Sequence, residues 1–388
     1  MRGSRYLAGS GAAALLSAAA LLAAGAPAAY AASEGVPKLD HVFIIVLENE
    51  NLSATWHTPG TYLNGLLGQG TFASQYYGTG HVSADNYIAM TSGQTPTPLF
   101  NTDCLDWSKC ETWQSARPDG GVSVADQVDS AGQTWKAYMD GMQTPCQHPP
   151  PDSPTSPYTA DPYQNGYATR HDPFVYYPPI VDNQAYCDSH VVAYSQLATD
   201  LASESTTPNY VFITPDTCHD GHDAPCTGSD VGQPGWQQGG LVSTNDWMST
   251  EVPKILASPA FTTPGVASVL FITTDEAANT DLTGCTTGPV ANGGTPGTCA
   301  SGVPGVGVNG GGLVGLLAIG SADAHVLAGA STAVPYDHAS LLRTVEDGLG
   351  LGPLAASSQS QVIFQDSAGH LNNAGSPLEH AMSSLFSG

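Results

Sequence analysis

Cationic side chains are scarce: nine lysines and arginines face 34 aspartates and glutamates in 388 residues, a formal charge of −25. So few cations exclude nucleic-acid and anionic-membrane partners, both of which need a basic patch to neutralise phosphate. Beyond the first 31 residues no uninterrupted apolar run is long enough to span a membrane. Several catalytic signatures are missing as well. The chain after residue 31 has no Gly-x-Ser-x-Gly elbow, no Gly-Lys-Ser/Thr phosphate loop and no His-Glu-x-x-His, and no Gly-x-Gly-x-x-Gly directly follows its first apolar strand. These gaps remove the common lipase, nucleoside-triphosphatase and zincin readings. Cysteines never occur as Cys-x-x-Cys, so redox and zinc-ribbon motifs are weak readings.

What is present describes an exported globular protein. Hydrophobic residues make up 41% of the chain, enough for a substantial core, and 44 Gly with 29 Pro in no regular period indicate long loops rather than collagen or disorder. Arg2 and Arg5 precede an apolar run that ends at Ala29-Tyr30-Ala31, the pattern of a secretory signal peptide over 1–31; a membrane anchor is the competing reading. Cleavage before Ala32 removes two arginines and takes the charge from −25 to −27. The expected product is one secreted catalytic domain over 32–388 with no stable membrane anchor. Eight cysteines in an exported chain favour disulfides, and sequential pairing is expected: Cys104/Cys110, Cys146/Cys187, Cys218/Cys226 and Cys285/Cys299.

Apolar runs bounded by polar residues predict buried strands at 41–47, 210–214, 268–273 and 313–319. Helical patterns fall between them at 61–67, 123–131, 192–202, 244–256 (with Asn245 as a cap) and 338–349. This alternation predicts an α/β fold: a doubly wound, mostly parallel sheet with helices on both faces. Three irregular stretches, about 94–121, 143–191 and 277–312, hold six of the eight cysteines and are expected to be stapled caps over the sheet rim.

In parallel sheets ligands bind beyond the carboxyl ends of strands, and three of the four runs lead there into carboxylates. Glu48-Asn49 follows the first, Pro215-Asp216 the second and Asp275-Glu276 the third. Carboxylates with an amide suit a hard or borderline cation, although each group also reads as a polar strand end. The stretch Asp216-Thr217-Cys218-His219-Asp220-Gly221-His222-Asp223 packs five potential ligands into eight residues; an acidic turn is the alternative. Ser83 precedes an apolar helical stretch, either as an N-cap or as a nucleophile. His338 begins a helix, where the dipole keeps the ring neutral and suited to a metal. Arg170-His171-Asp172-Pro173-Phe174 offers cationic groups to an anionic substrate, or forms a surface turn.

Seven blocks in order, VLENENL, HVSADNYIAMTSG, YATRHDPFVYY, TPDTCHDGHD, DWMSTEVPKIL, FITTDE and YDHASLLRTVED, resemble the bacterial phosphoesterase family of secreted acid phosphatases and non-haemolytic phospholipases C, within the alkaline-phosphatase-like superfamily. The resemblance spans 40 to about 350. It implies an alkaline-phosphatase-like fold and a phosphoseryl intermediate on Ser83. It further implies a divalent metal held by Glu48, Asn49, Ser83, Asp275 and Glu276. Asp216, His222 and His338 resemble the ligands of a second metal site, with His219 possible in place of His222, or else groups that hold the phosphoryl. His171 and Asn86 match residues beside the substrate and its phosphoryl oxygens. One departure is Asp85, which stands where the family commonly has proline in Ser-x-Pro-Asn and adds negative charge near an anionic substrate.

The resemblance thus implies a secreted acid phosphatase acting on a small phosphate ester. A phospholipase C or other phosphodiesterase acting on a phospholipid head group is the alternative, and an inactive metal-dependent binding protein a third. The ligand types leave zinc, manganese, calcium and iron open, one or two ions per site. Oligomeric state is not legible in the sequence.

Overall fold

In the computed structural model the described residues are 34–94, 99–117, 119–149, 166–222, 238–278, 311–354 and 380–387, with Met1, residue 225 and a few short pieces between 280 and 374. Residues 2–31, over which a signal peptide is expected, and Cys226, Cys285 and Cys299 lie outside them.

Eight strands form the central sheet. In chain order they are β1 (His41–Leu47), β2 (Thr71–Ala73), β3 (Trp135–Met139), β4 (Val191–Ala193), β5 (Tyr210–Thr214), β6 (Ser268–Thr274), β7 (Leu316–Gly320) and β8 (Ala330–Thr332). Their order across the sheet is β8-β2-β7-β6-β1-β5-β3-β4. From β6 to β4 all neighbours are parallel, with Ile45 of β1 facing both Ile213 and Ile272. The α/β reading therefore holds. The strand predicted at 313–319 is real but reversed, since β7 runs antiparallel to both β6 and β2.

Continuous apolar runs arise because both faces of the sheet are covered. Val42, Ile44 and Val46 point into one core. That core includes Tyr87, Ile88 and Met90 of α1 (Ser83–Ser92), Val124 and Val128 of α2 (Val124–Ser130), and Leu341, Leu342 and Val345 of α4 (His338–Leu349). Phe43, Ile45 and Leu47 point the other way, into a core with Met248, Val252 and Ile255 of α3 (Gly240–Leu256). Side chains alternate along β1 with the period of two that a strand imposes. Among the described residues no helix is long and apolar enough to cross a membrane.

Helix ends follow capping chemistry. Ser123 and Asp126 form a capping box at α2, and Asp337 accepts from the Ala339 and Ser340 amides at α4, which satisfies donors otherwise left open. Two predictions differ. Asn245 is not a cap, because α3 begins at Gly240; its side chain instead donates to Leu241 O and accepts from Leu63 N. The helix predicted at 192–202 is confined to Leu197–Asp200, because Val191 and Val192, β-branched and suited to a pleated surface, pair with Ala137 and Tyr138.

The irregular stretches also contain helices, at Trp107–Ser115, where Asp106 caps, and at Gln184–His190, where Asn183 caps. Disulfides join Cys104 to Cys110 and Cys146 to Cys187, as expected. Cys218 is also disulfide-bonded.

Candidate active site

Because β1, β5 and β6 run parallel, their carboxyl ends share one rim. Backbone bonds knit that rim together: Asp275 N donates to Leu47 O and Glu48 N to Asp220 O, each at 2.8 Å. Asn49 adopts a φ of +32°, a left-handed conformation that Asn tolerates better than most residues. Its amide then donates to Asp275 Oδ1 at 3.1 Å.

Ser83 is the first residue of α1, and Val82 occupies the cap position. Freed from capping, its buried hydroxyl donates to Glu48 Oε1 at 2.6 Å. The same oxygen meets His171 Nε2 at 2.7 Å and Arg170 Nη2 at 3.6 Å. The His171 ring is stacked on Tyr87 with centroids 5.2 Å apart. Burial raises the Glu48 carboxyl, but the charges of His171 and Arg170 and the hydrogen bond from His171 outweigh it, holding Glu48 well below the usual carboxylate range.

Asp275 and Glu276 behave in the opposite sense. Burial and the neighbouring carboxylates, Glu276 and Glu48 for Asp275 and Asp103 and Glu48 for Glu276, push both well above the usual range. Glu276 accepts from the Asn49 side chain and the Val82 amide and meets His81 Nδ1 at 2.8 Å. Such crowding of buried like charges is relieved either by protonation or by a cation. The donor set fits one: among the described residues Asn49 Oδ1 and Asp275 Oδ2 are buried without a hydrogen-bond partner, and Glu48 Oε2 has only a 3.4 Å approach from His222 Nδ1. Oxygen atoms of this kind suit a divalent ion.

The proposed second ligand set, Asp216, His222 and His338, does not converge. Asp216 turns to Asp140 and His219, whose ligand atoms lie within 4.8 Å of one another. His219 Nδ1 is 2.9 Å from Asp140 and 3.2 Å from Asp216. Burial disfavours a charge on His219, yet the two carboxylates push its pKa up to about 10. A Cβ on Gly166 would meet the Asp216 side chain at 2.8 Å, so only glycine lets that loop close over it. His222 goes to Glu48 instead. His338 is held by Tyr76 Oη at 2.9 Å on one nitrogen and by the Asp275 carbonyl on the other; burial pushes it down to about 4, keeping it neutral. His338 therefore supports the backbone of Asp275.

Asn86 is also placed differently from expectation. Its Oδ1 accepts from the Thr79 and Gly80 amides and its Nδ2 donates to the Gly80 and Val82 carbonyls, so the amide clamps the loop ahead of Ser83. That loop passes tightly under the rim: a Cβ at Gly78 would lie 2.6 Å from Gly311 O and 2.9 Å from Asp275 O. Asp85 is buried in the first turn of α1, where its charge complements the helix N-terminus.

A model of the Phosphoesterase family matches residues 58–352. The chain belongs to this family. An acid phosphatase of Aspergillus fumigatus is 26% identical over 163 residues, 42% of this phosphoesterase and 32% of the relative. A probable acid phosphatase of Kluyveromyces lactis is 24% identical over 190 residues, 47% of this chain and 38% of the relative. The match thus spans about a third of the length of these curated relatives. Among solved structures, a protein of the alkaline phosphatase superfamily from Vibrio parahaemolyticus aligns at 14% identity with a TM-score of 0.47, covering 84% of this chain and 71% of that one.

Two groups at the candidate site, Asp140 and Asp103, escaped sequence reasoning, and Asp220 was legible only as one of the five potential ligands of the 216–223 stretch. Asp140 follows β3, another parallel strand ending in a carboxylate, but Lys136 interrupts the apolar run that would have marked it. Asp220 lies within the dense 216–223 cluster; it is fully buried and 3.9 Å from His171 Nδ1. Asp103 accepts from the Ala84 amide at the start of α1, and nothing in the sequence around it signals that role.

Proposed function

We propose that this phosphoesterase is a secreted, divalent-cation-dependent acid phosphatase that cleaves small phosphomonoesters through a phosphoseryl intermediate on Ser83. The observation that carries this reading is the Ser83 hydroxyl donating to Glu48 at the N-terminus of a buried helix, with His171 on the same carboxylate oxygen. Family membership and the partial similarity to two fungal acid phosphatases support it. Three disulfide-bonded pairs or half-pairs in the described residues accord with export.

In this reading Glu48, Asn49, Ser83, Asp275 and Glu276 hold the ion, whether zinc, manganese, calcium or iron. When bound, it lowers the cost of forming an oxyanion on serine and offsets charge on the phosphoryl group. The protein does the rest. Glu48 fixes the serine rotamer, and the Asn86 clamp fixes the loop behind it. The N-terminus of α1 places the positive end of its dipole toward the incoming anion. Ser83 Oγ attacks phosphorus in line; the P–O bond to the alcohol breaks, and the alcohol departs with a proton. Water then attacks the phosphoserine, returning the serine hydroxyl and releasing inorganic phosphate. His171 donates to phosphoryl oxygens as negative charge builds on them. The Asp140, Asp216 and His219 group is a candidate for a second ion or for an ionic brace of the 216–222 turn.

The deciding experiment compares p-nitrophenyl phosphate with bis-p-nitrophenyl phosphate on the purified chain from Ala32, with and without chelator, across acid to alkaline pH. Chelator-sensitive monoester cleavage is expected. Preference for the diester moves the function to the phospholipase C or phosphodiesterase side, and inactivity on both after metal is restored favours a binding protein.

A further inference from the structure

Phosphate is an awkward ligand for a protein of charge −25 with nine lysines and arginines. Seven of the nine lie among the described residues, and six are ion-paired to carboxylates that do not line the nucleophile. Lys38 pairs with Asp40, Lys109 with Asp106, Arg117 with Asp119, Lys136 with Asp200, Lys254 with Glu251 and Arg343 with Asp347. The seventh, Arg170, has its guanidinium 3.6 Å from Glu48 Oε1, the atom that receives the Ser83 hydroxyl, and its side chain is only 11% exposed. Among the described residues it is the one permanent side-chain cation beside the nucleophile.

The arrangement gives Arg170 two alternative tasks. Without a cation, the guanidinium offsets the buried Glu48 charge. Once a cation neutralises Glu48, the guanidinium is held within reach of an anion delivered to Ser83 Oγ. A planar guanidinium presents paired N–H donors that match two oxygens of one phosphoryl group. At neutral pH a monoester bears close to two negative charges, its second pKa lying near 6. A diester bears one and has an ester substituent in place of one free oxygen. Resting on the Ser83 reading above, we propose that Arg170 is the specificity-determining residue of this site: it reads the extra free oxygen of a phosphomonoester and, above about pH 6, its second charge, and so sets monoester over diester preference. Asp103 braces the same corner: burial raises its carboxyl, the Arg170 charge offsets part of that rise, and it accepts from the Ala84 amide.

The test uses the metal-supplemented chain from Ala32 and the variants R170Q and R170K. Two quantities are read: the ratio of kcat/KM for p-nitrophenyl phosphate to that for bis-p-nitrophenyl phosphate, and the Kd of inorganic phosphate by titration calorimetry. R170Q is expected to lower the ratio about 10- to 100-fold, the loss of a charge-assisted contact, and to weaken phosphate binding by a similar factor. R170K, with the charge but not the fork, falls between. A ratio within threefold of wild type, or an unchanged phosphate Kd, overturns the proposal. If R170Q does not fold, R170K carries the same test. A wild type that cleaves neither ester overturns the phosphatase reading instead, and the phosphate Kd values still decide whether Arg170 contacts the anion; no phosphate binding by wild type overturns both.

Discussion

The Ser83 hydroxyl and the Glu48 carboxylate meet at 2.6 Å although 35 residues separate them. Ser83 reaches that position because Val82, not the serine, takes the cap site of α1. Removing the hydroxyl takes away the proposed nucleophile but leaves Glu48 with His171 and Arg170 as partners. Ser83→Ala is therefore expected to lower kcat by about a thousandfold or more while its circular dichroism and chemical-denaturation midpoint stay near wild type. Activity within tenfold of wild type would remove Ser83 from the mechanism.

Asp275 has one oxygen that accepts from the Asn49 and Glu276 amides and another that is buried without a partner. Asp275→Asn keeps the shape and removes one of three crowded negative charges. The metal Kd, measured by calorimetry, is expected to rise at least about tenfold, while the chelated protein becomes more stable than chelated wild type because like-charge repulsion is relieved. Adding metal at about 100 times its Kd should stabilise wild type by about 2.7 kcal/mol through linkage. A melting curve indifferent to metal and chelator contradicts the assignment.

Much of this rim was legible because parallel strands deliver whatever follows them to one edge. Glu48, Asp216 and Asp275 each stand just beyond an apolar run, and that position alone brings them to the same side of the sheet. The partners each side chain takes once there were not legible. His338 reads as a ligand from its place at a helix start, but Tyr76, 262 residues away, and the Asp275 carbonyl occupy both of its nitrogens. Asn86 reads as a substrate contact, yet a loop with four backbone groups to satisfy takes its whole amide. Reversal of β7 was equally hidden, since an apolar run carries no sign of its direction.

His81 lies two residues before Ser83, with Glu276 Oε2 at 2.8 Å from Nδ1 and the Asp281 carbonyl at 2.7 Å from Nε2. The Asp281 carbonyl can only accept, so Nε2 carries the ring proton toward it, and the contact at Nδ1 orients Glu276 and ties it to the loop after β6. His81→Ala is expected to weaken metal binding about tenfold, the usual scale for a residue that orients a ligand, with excess metal restoring most of kcat. A purely structural role would lower the denaturation midpoint without moving the metal Kd.

The two disulfides closed within the described residues differ in the length of chain they restrain. Cys104 and Cys110 are separated by 6 residues, Cys146 and Cys187 by 41. In the chain-entropy model the short loop contributes about 2 kcal/mol and the long one about 4. Replacing Cys146 and Cys187 with serine should thus lower the unfolding free energy by about twice as much as replacing Cys104 and Cys110. The shorter bridge has a second role, because Asp103 beside it accepts from Ala84 N at the nucleophile helix. Its loss is expected to show in kcat more than in stability, and denaturation curves run beside kinetics separate the two effects.

Stability should also favour acid conditions, and Asp172 shows why. Its carboxyl is fully buried and, despite hydrogen bonds from the Tyr167 hydroxyl and the Phe174 amide, burial pushes its pKa up to about 7 from 3.8. A carboxyl raised in the folded state binds its proton more tightly there than in the unfolded chain. Its contribution is complete below about pH 4 and is lost as pH rises through about 7, by at most about 4 kcal/mol. Asp172→Asn, which stays neutral, is expected to flatten this part of the pH–stability curve between 4 and 8 and to leave the variant more stable than wild type at pH 8. Parallel curves for the two proteins would show that Asp172 ionises at its ordinary pKa and that the acid preference has another source.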